Sequence, residues 1–240
     1  MKAFLISDIH GSYRTLSAIY EKIFTNDDID MMIFAGDLVD MGEPISFVDE
    51  FTWMVERLGI PLFWVPGNND FGRAYHKLNA KIKSLEGKIV EFGGHKYTGV
   101  GGSPASWAGQ YEGERSVDKK AIAGTIFVSH VPPPGLSNFQ KFDQANPKSE
   151  ILNPKQIPNQ KTQISKSGLS NFEFRTSDSP RNMLSLADAP IVHICGHIHH
   201  TWGIGYLGST KVIKLAGGYL GYCAIMDLQT FHVKFERMWK

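Results

Sequence analysis

The chain contains 240 residues, of which 42% are hydrophobic and 20% charged, and its formal net charge is +1. These values fit one soluble globular domain, and so small a net charge excludes a strong overall attraction to nucleic acid or to membrane surfaces. No apolar run approaches the ~20 residues of a membrane-spanning helix, and the first residues do not match a signal peptide. We therefore expect a cytoplasmic protein that does not engage membranes, in which Cys195 and Cys223 are buried thiols and make no disulfide framework.

The first part of the chain alternates apolar strands with amphipathic helices. Strands are predicted over 2–7, 31–35 and 61–65. A helix follows residue 11, and a second runs over 44–58, where Gly59 is placed to end it. A polar loop follows each strand, and this β-α-β-α-β order predicts an α/β fold.

The second part of the chain carries more strands and one long polar segment. Strands are predicted over 87–92, 96–100, 125–129 and 191–195, followed by short strands between 204 and 239. Helices are predicted over 116–123 and from Ser179-Pro180 to about residue 186. We expect one domain over 1–240 with a polar insert at about 136–179, which is either a lid that sets substrate size or a solvated excursion without a catalytic part.

Side chains able to bind metal ions follow five of the predicted strands. They are Asp8, His10, Asp37, Asn68, His130, His197 and His199. Each one alone is typical of a turn or of an ordinary surface histidine, but five strand ends of this kind together indicate a shared site. Imidazole mixed with carboxylate suits Mn, Fe, Zn or Ni better than Mg or Ca. Seven ligands are more than one ion normally takes from protein, so two ions sharing one carboxylate fit the number.

The order of these motifs is that of a known family. Asp8-x-His10, Gly36-Asp37-x-x-Asp40, Gly67-Asn68-Asn69-Asp70, His130 and Gly196-His197-x-His199 together resemble the calcineurin-like metallophosphoesterases. The resemblance implies a four-layer α/β/β/α sandwich of two mixed β-sheets. It also implies two ligand sets that share Asp37 as the bridge. One would be Asp8, His10, Asp37 and His199, and the other Asp37, Asn68, His130 and His197.

The resemblance further implies hydrolysis of phosphate esters on a small phosphorylated substrate. Two ions ~3.5–4 Å apart can hold a bridging hydroxide, aim it at phosphorus and neutralise the phosphate oxygens. Manganese is the favoured metal, with Fe, Zn or Ni as alternatives, and both monoesters and diesters stay open. Asp40 and Asp70 are predicted either to orient ligands such as His10 or Asn68, or to cap their own loops.

The sequence departs from the family pattern at Asn69, where members commonly carry a histidine near the leaving-group oxygen. Asparagine can donate a hydrogen bond but cannot deliver a proton. His76 or His95 could replace the missing acid. Two alternative functions therefore remain, a metal-binding scaffold with weak or lost catalysis and, within the same chemistry, a nuclease. Nucleic acid is not favoured as a partner, because the net charge is near zero.

Overall fold

A computed structural model describes residues 1–26, 28–40, 45–70, 82–102, 122–133, 140–141 and 189–239. Its strands, in chain order, are β1 (Lys2–Ile6), β2 (Ile29–Phe34), β3 (Leu62–Trp64), β4 (Ile82–Ser84), β5 (Val90–Phe92), β6 (His95–Val100), β7 (Ile126–Ser129), β8 (Gln140–Lys141), β9 (Val192–Cys195), β10 (Thr201–Leu207), β11 (Thr210–Lys214), β12 (Tyr222–Asp227) and β13 (Val233–Arg237). The helices are α1 (Tyr13–Phe24) and α2 (Ile45–Leu58), with a 3-10 turn at Gly218–Leu220.

The strands form two mixed sheets, as predicted. The first has the order β13-β12-β1-β2-β3-β4, in which β1 to β4 are parallel, β12 is antiparallel to β1, and β13 is antiparallel to β12. The second has the order β5-β6-β7-β9-β11-β10-β8, with β6, β7, β9 and β11 parallel. The parallel strands β1 and β2 are buried along nearly their whole length, which explains why they read as unbroken apolar runs.

Both helices pack on the outer face of the first sheet. Ser12 caps α1, where its hydroxyl accepts from the backbone N–H of Thr15 (3.2 Å), and the buried face of that helix includes Leu16 and Ile19. The helix α2 ends as predicted, since Gly59 has φ +74° and its N–H donates to the carbonyl of Val55.

The protein therefore has two apolar cores. One lies between the helices and the first sheet and contains Phe4, Phe34 and Phe51. The other contains residues of both sheets, among them Leu5 and Ile33 of the first. Alternate residues of β1 enter different cores, because successive side chains of a strand point to opposite faces. These layers account for α, β and β of the predicted sandwich.

Several predicted elements lie outside the described residues. These are the helices over 116–123, apart from its last two residues, and over 180–186, and the insert at 136–179 except for Gln140 and Lys141, which pair with β10. The sequence reading missed β4, a three-residue strand in which only Ile82 is buried, so it carries no apolar run. Cys195 and Cys223 are buried free thiols, as expected. Among the described helices, none is long and apolar enough to cross a membrane.

Candidate metal centre

The fold gathers the predicted ligand loops at one end of the molecule. In the first sheet the parallel neighbours β1, β2 and β3 end at Ile6, Phe34 and Trp64, and the three ligand loops begin just beyond them. In the second sheet the parallel neighbours β7 and β9 lead into His130 and into the loop that starts at Gly196. Parallel strands present their carboxyl ends at the same edge, where α/β folds build their sites.

One group of side chains consists of Asp8, His10, Asp37 and His199, whose candidate ligand atoms all lie within 4.8 Å of one another. Nε2 of His199 is 3.2 Å from Oδ1 of Asp8 and 3.2 Å from Nε2 of His10. Nε2 of His10 is 3.7 Å from Oδ2 of Asp37. Two carboxylates and two imidazoles therefore face one small space.

A second group contains Asp37 again, with His130 and His197, and its candidate ligand atoms also lie within 4.8 Å of one another. Nε2 of His130 is 3.4 Å from Oδ2 of Asp37 and 3.2 Å from Nδ1 of His197. The side-chain oxygen of Asn68 lies 3.0 Å from the same Nε2. The structure thus brings all seven predicted ligands together, and Asp37 belongs to both groups.

The hydrogen bonds of the histidines leave lone pairs that point into the two groups. Nδ1 of His10 is 2.5 Å from Oδ1 of Asp40, and Nδ1 of His130 is 2.8 Å from the carbonyl of Ala35. Both partners can only accept, so Nδ1 carries the proton in each ring. In the neutral ring Nε2 is then free to bind a cation, an arrangement typical of metal-binding histidines.

Asp8 offers a direct test of whether a cation suits this space. Its carboxylate is fully buried, and Oδ2 accepts from the Ser7 hydroxyl (2.5 Å) and from the His197 N–H (3.0 Å). Oδ1 is buried and, within the described part of the chain, no donor makes a hydrogen bond of good geometry to it, although Nε2 of His199 lies 3.2 Å away. A buried carboxylate oxygen of this kind is costly unless a positive charge faces it. The donor set of carboxylate, imidazole and amide oxygen therefore fits a divalent transition metal.

The electrostatics of the site favour positive charge. Burial alone would raise the pKa of Asp8, but the neighbouring His199, His130 and Ser7 outweigh burial and hold that pKa far below its ordinary value. Burial alone would lower the pKa of His130, yet the charges of Asp37 and Asp8 raise it to about 9. The field that places a proton on His130 also attracts a metal cation.

Asp37 is held from two sides. The backbone N–H of Asn69 donates to Oδ1 (2.8 Å) and its side-chain amide to Oδ2 (2.9 Å). Asp70, which is buried, accepts from the backbone N–H groups of Asp37 (2.8 Å), Leu38 (2.9 Å) and Gly67 (2.7 Å). Asp70 thus joins two ligand loops through their backbones, whereas the side chain that contacts His10 is Asp40.

The backbone of the site is strained. Among the described residues, five that are not glycine have a positive φ, and four of these are Asp8 (55°), His10 (48°), Asp37 (58°) and His197 (73°). This conformation costs about 1–2 kcal/mol for an L-residue and concentrates at functional sites. Hydrogen bonds between loops hold it, as where Ile9 and His10 both donate to the carbonyl of Asp37.

Sequence reasoning missed two contacts and included one remote residue. The hydroxyl of Tyr219 lies 3.2 Å from Nδ1 of His199, and Ser7 holds Asp8, but neither belongs to a ligand motif. The predicted substitute acid His95 begins β6 at the far end of the second sheet and contacts Phe231, so it cannot reach the site. His76 lies outside the described residues.

Comparison with known proteins gives the same family as the motifs. The sequence model of the family described as calcineurin-like phosphoesterase matches residues 1–217, and the chain belongs to that family. It is 26% identical over 141 residues to an uncharacterized protein of Methanocaldococcus jannaschii, and 41% identical over 70 residues to a symmetrical bis(5'-nucleosyl)-tetraphosphatase of Baumannia cicadellinicola. These matches cover 55% and 29% of this chain, and 62% and 23% of the two relatives.

Two solved structures share the fold. The protein TT1561 of Thermus thermophilus superposes with a TM-score of 0.64 at 14% identity, with 99% of each chain covered. A dimetal phosphatase from Danio rerio superposes with a TM-score of 0.56 at 11% identity, with 100% of this chain and 97% of that one covered.

Proposed function

We propose that this calcineurin-like phosphoesterase uses two divalent cations, bound on either side of Asp37, to hydrolyse esters of small phosphorylated compounds. One observation carries the proposal: side chains that follow four strands converge in two groups that share one carboxylate. His10 and His199 belong to one group, and His130 and His197 to the other. Asn68 completes the second group with its amide oxygen, 3.0 Å from His130.

When bound, the two cations would supply the Lewis acidity that activates water and neutralises phosphate oxygens. The chain supplies fixed geometry around them. Asp40 and Ala35 hold the rings of His10 and His130 with Nε2 turned inward. Asn69 and Asp70 keep the carboxylate and the backbone of Asp37 in place. Manganese is the favoured ion, with Fe, Zn or Ni as alternatives, because the ligands mix imidazole and carboxylate.

The choice of substrate is a separate part of the proposal. The relative that is 41% identical over 70 residues is named for a dinucleoside tetraphosphate, a small phosphate anhydride. A compound of that size fits a chain whose net charge of +1 provides no extended field for a nucleic acid. We therefore place small phosphate esters and dinucleoside polyphosphates ahead of oligonucleotides.

The test is a panel of substrates given to chelated protein before and after addition of Mn²⁺. It contains p-nitrophenyl phosphate, its bis ester, a dinucleoside tetraphosphate and an oligonucleotide. We expect turnover of the small compounds only with metal, its loss in Asp37→Ala and its retention in Asp49→Ala, which alters an exposed carboxylate on α2. Faster cleavage of the oligonucleotide would favour a nuclease. Metal binding without any turnover, with Mn, Fe, Zn or Ni, would favour a scaffold.

A further inference from the structure

Lys214 is a fully buried amine whose hydrogen-bond partners, among the described residues, are backbone carbonyls and not candidate ligand atoms. It is the last residue of β11 and pairs with Cys195 of β9 in the sheet register. Its Nζ donates to the carbonyls of Ile198 (2.9 Å), Thr201 (3.4 Å) and Leu215. In the part of the chain that the structure describes, no carboxylate forms an ion pair with this amine.

Three carbonyl acceptors match the three N–H donors of an ammonium group. Burying such a group away from water is costly unless all its donors are paired. The amine can therefore be buried only while these carbonyls stay where they are. The carbonyl of Ile198 also accepts from the backbone N–H (3.3 Å) and the hydroxyl (3.2 Å) of Thr201, so the amine adds a third donor to it. Lys214 thus connects β11 to the chain segment that it contacts.

That segment is the loop that carries two of the candidate metal ligands. Ile198 lies between His197 and His199, and Thr201 lies two residues after His199. His197 belongs to one ligand group and His199 to the other, so a shift of the backbone at Ile198 would displace a ligand in each.

We propose that Lys214 is a positioning residue of the metal centre, which fixes the two histidines by holding the carbonyls between and beyond them. This inference rests on the proposed function, because it assumes that His197 and His199 bind cations. It assigns the amine no contact with substrate and no part in proton transfer.

The same strand offers a matched control. Lys211 lies at the start of β11 and is half-buried, and its Nζ donates to the carbonyl of Phe231 in the turn between β12 and β13. That turn is at the end of the sheet opposite the metal centre. Replacing either lysine by methionine removes one amine that donates to a backbone carbonyl, but only Lys214 contacts the loop that carries His197 and His199.

The experiment compares Lys214→Met, Lys214→Gln and Lys211→Met with the wild-type chain. Urea unfolding of the metal-free proteins measures stability, and calorimetric titration with Mn²⁺ measures metal affinity. We expect both methionine variants to lose stability, and only Lys214→Met to lose Mn²⁺ affinity, by roughly 10–100-fold, as for other residues that orient metal ligands. Lys214→Gln, which keeps two N–H donors, should lie between Lys214→Met and the wild type.

Equal Mn²⁺ affinity in Lys214→Met and Lys211→Met would overturn the inference. If Lys214→Met does not fold, the glutamine variant decides the question, because wild-type affinity in Lys214→Gln would overturn it equally. A wild-type chain that binds no Mn²⁺, Fe, Zn or Ni would contradict the proposed function instead, so the two failures can be told apart.

Discussion

At the scale of single residues, Asp37 holds the most constrained position in the candidate site. It lies in both ligand groups and is almost completely buried. Its carboxylate accepts two hydrogen bonds from Asn69 and lies beside the rings of His10 and His130 from two other loops, so it has little freedom to move. A carboxylate fixed in this way is already placed to lie between two cations before they bind, which lowers the cost of ordering the site.

The two histidines of one loop should serve different cations. Nε2 of His199 faces Asp8, whereas Nδ1 of His197 faces His130. We therefore expect His199→Ala and His197→Ala each to weaken one of the two binding steps in a Mn²⁺ titration, and not the same one. His200→Ala, which removes the exposed neighbour, is the control and should bind like the wild type. Identical loss of both steps in the two variants would contradict this partition.

Asn69 should make the rate depend on the leaving group. Its amide donates to Asp37 and, unlike histidine, has no proton to deliver to a departing oxygen. We expect aryl phosphates to be hydrolysed much faster than alkyl phosphates, since general-acid catalysis, typically worth ~10²–10⁴-fold, is missing. The measurement is kcat across esters of rising leaving-group pKa, for the wild type and for Asn69→His.

In Asn69→His the slope should become shallower if the ring reaches the departing oxygen. A flat dependence in the wild type would mean that another group already supplies the proton.

At the scale of elements, the ligand loops meet so closely that glycine is required between them. A Cβ on Gly67 would lie 2.0 Å from Oδ1 of Asp37 and 2.2 Å from its backbone nitrogen. A Cβ on Gly196 would lie 1.8 Å from the hydroxyl of Ser7. Gly67 sets the distance between two strand ends of the first sheet, and Gly196 sets the distance between the first sheet and the second. Together they determine the size of the space that the candidate ligands enclose.

Gly67→Ala should accordingly damage the metal centre more than the fold. We expect it to lower the free energy of unfolding by about 3 kcal/mol, because the neighbouring loop must move, and to weaken Mn²⁺ binding by roughly 10–100-fold. Gly208→Ala is the control: it has φ +59° but nothing within 4 Å of an added Cβ. That variant should lose about 1 kcal/mol from backbone strain and keep its metal affinity. Unchanged Mn²⁺ affinity in Gly67→Ala would contradict the argument.

The pair of strands β7 and β9 contains a second buried histidine with a different role. Nε2 of His193 lies 2.7 Å from the hydroxyl of Ser129, which donates to the carbonyl of Val131 (2.6 Å). Because the hydroxyl has one proton and donates it to Val131, Nε2 of His193 must donate to the hydroxyl. Burial lowers the pKa of His193 to about 3.

This histidine should make the protein sensitive to acid. Below pH 6.5 His193 takes up a proton in the unfolded chain, whereas in the folded chain it stays neutral down to about pH 3. The free energy of unfolding therefore falls as the pH falls through this range. Between pH 7 and pH 5 His193 lowers the free energy of unfolding by about 2 kcal/mol. Urea unfolding of chelated protein should show that His193→Gln, which can still donate to Ser129, loses about 2 kcal/mol less than the wild type over that interval. The same pH dependence in His193→Gln as in the wild type and in the exposed control His232→Gln would contradict it.

At the scale of the whole molecule, the central parallel strands could be predicted from the sequence, but the order of the strands and the short edge strands could not. The strands β1, β2, β7 and β9 are mostly apolar and are followed by polar motifs, so both the strands and the candidate ligands after them could be predicted. The order of strands could not, because nothing in the residues of β12 says that it pairs with β1. Short edge strands such as β4 and β8 lack a periodic pattern and were missed.

The same division applies to the candidate site. The candidate ligands could be predicted because they stand in motifs directly after strands. Tyr219, in the 3-10 turn, contacts His199, and Lys214, at the end of β11, contacts the backbone of the loop that carries the two histidines. Both residues lie more than 10 positions beyond the last motif, and only the three-dimensional fold brings them there. The burial of Lys214 could not be predicted from the sequence either, because a lysine is rarely buried inside a protein.

The central claim is that two cations share Asp37, and the most direct measurement is the anomalous scattering of crystals soaked in Mn²⁺. We expect two anomalous peaks per chain, one on each side of the Asp37 carboxylate. The first should be bounded by Asp8, His10 and His199, and the second by Asn68, His130 and His197. A single peak, or two peaks that do not both contact Asp37, would contradict it.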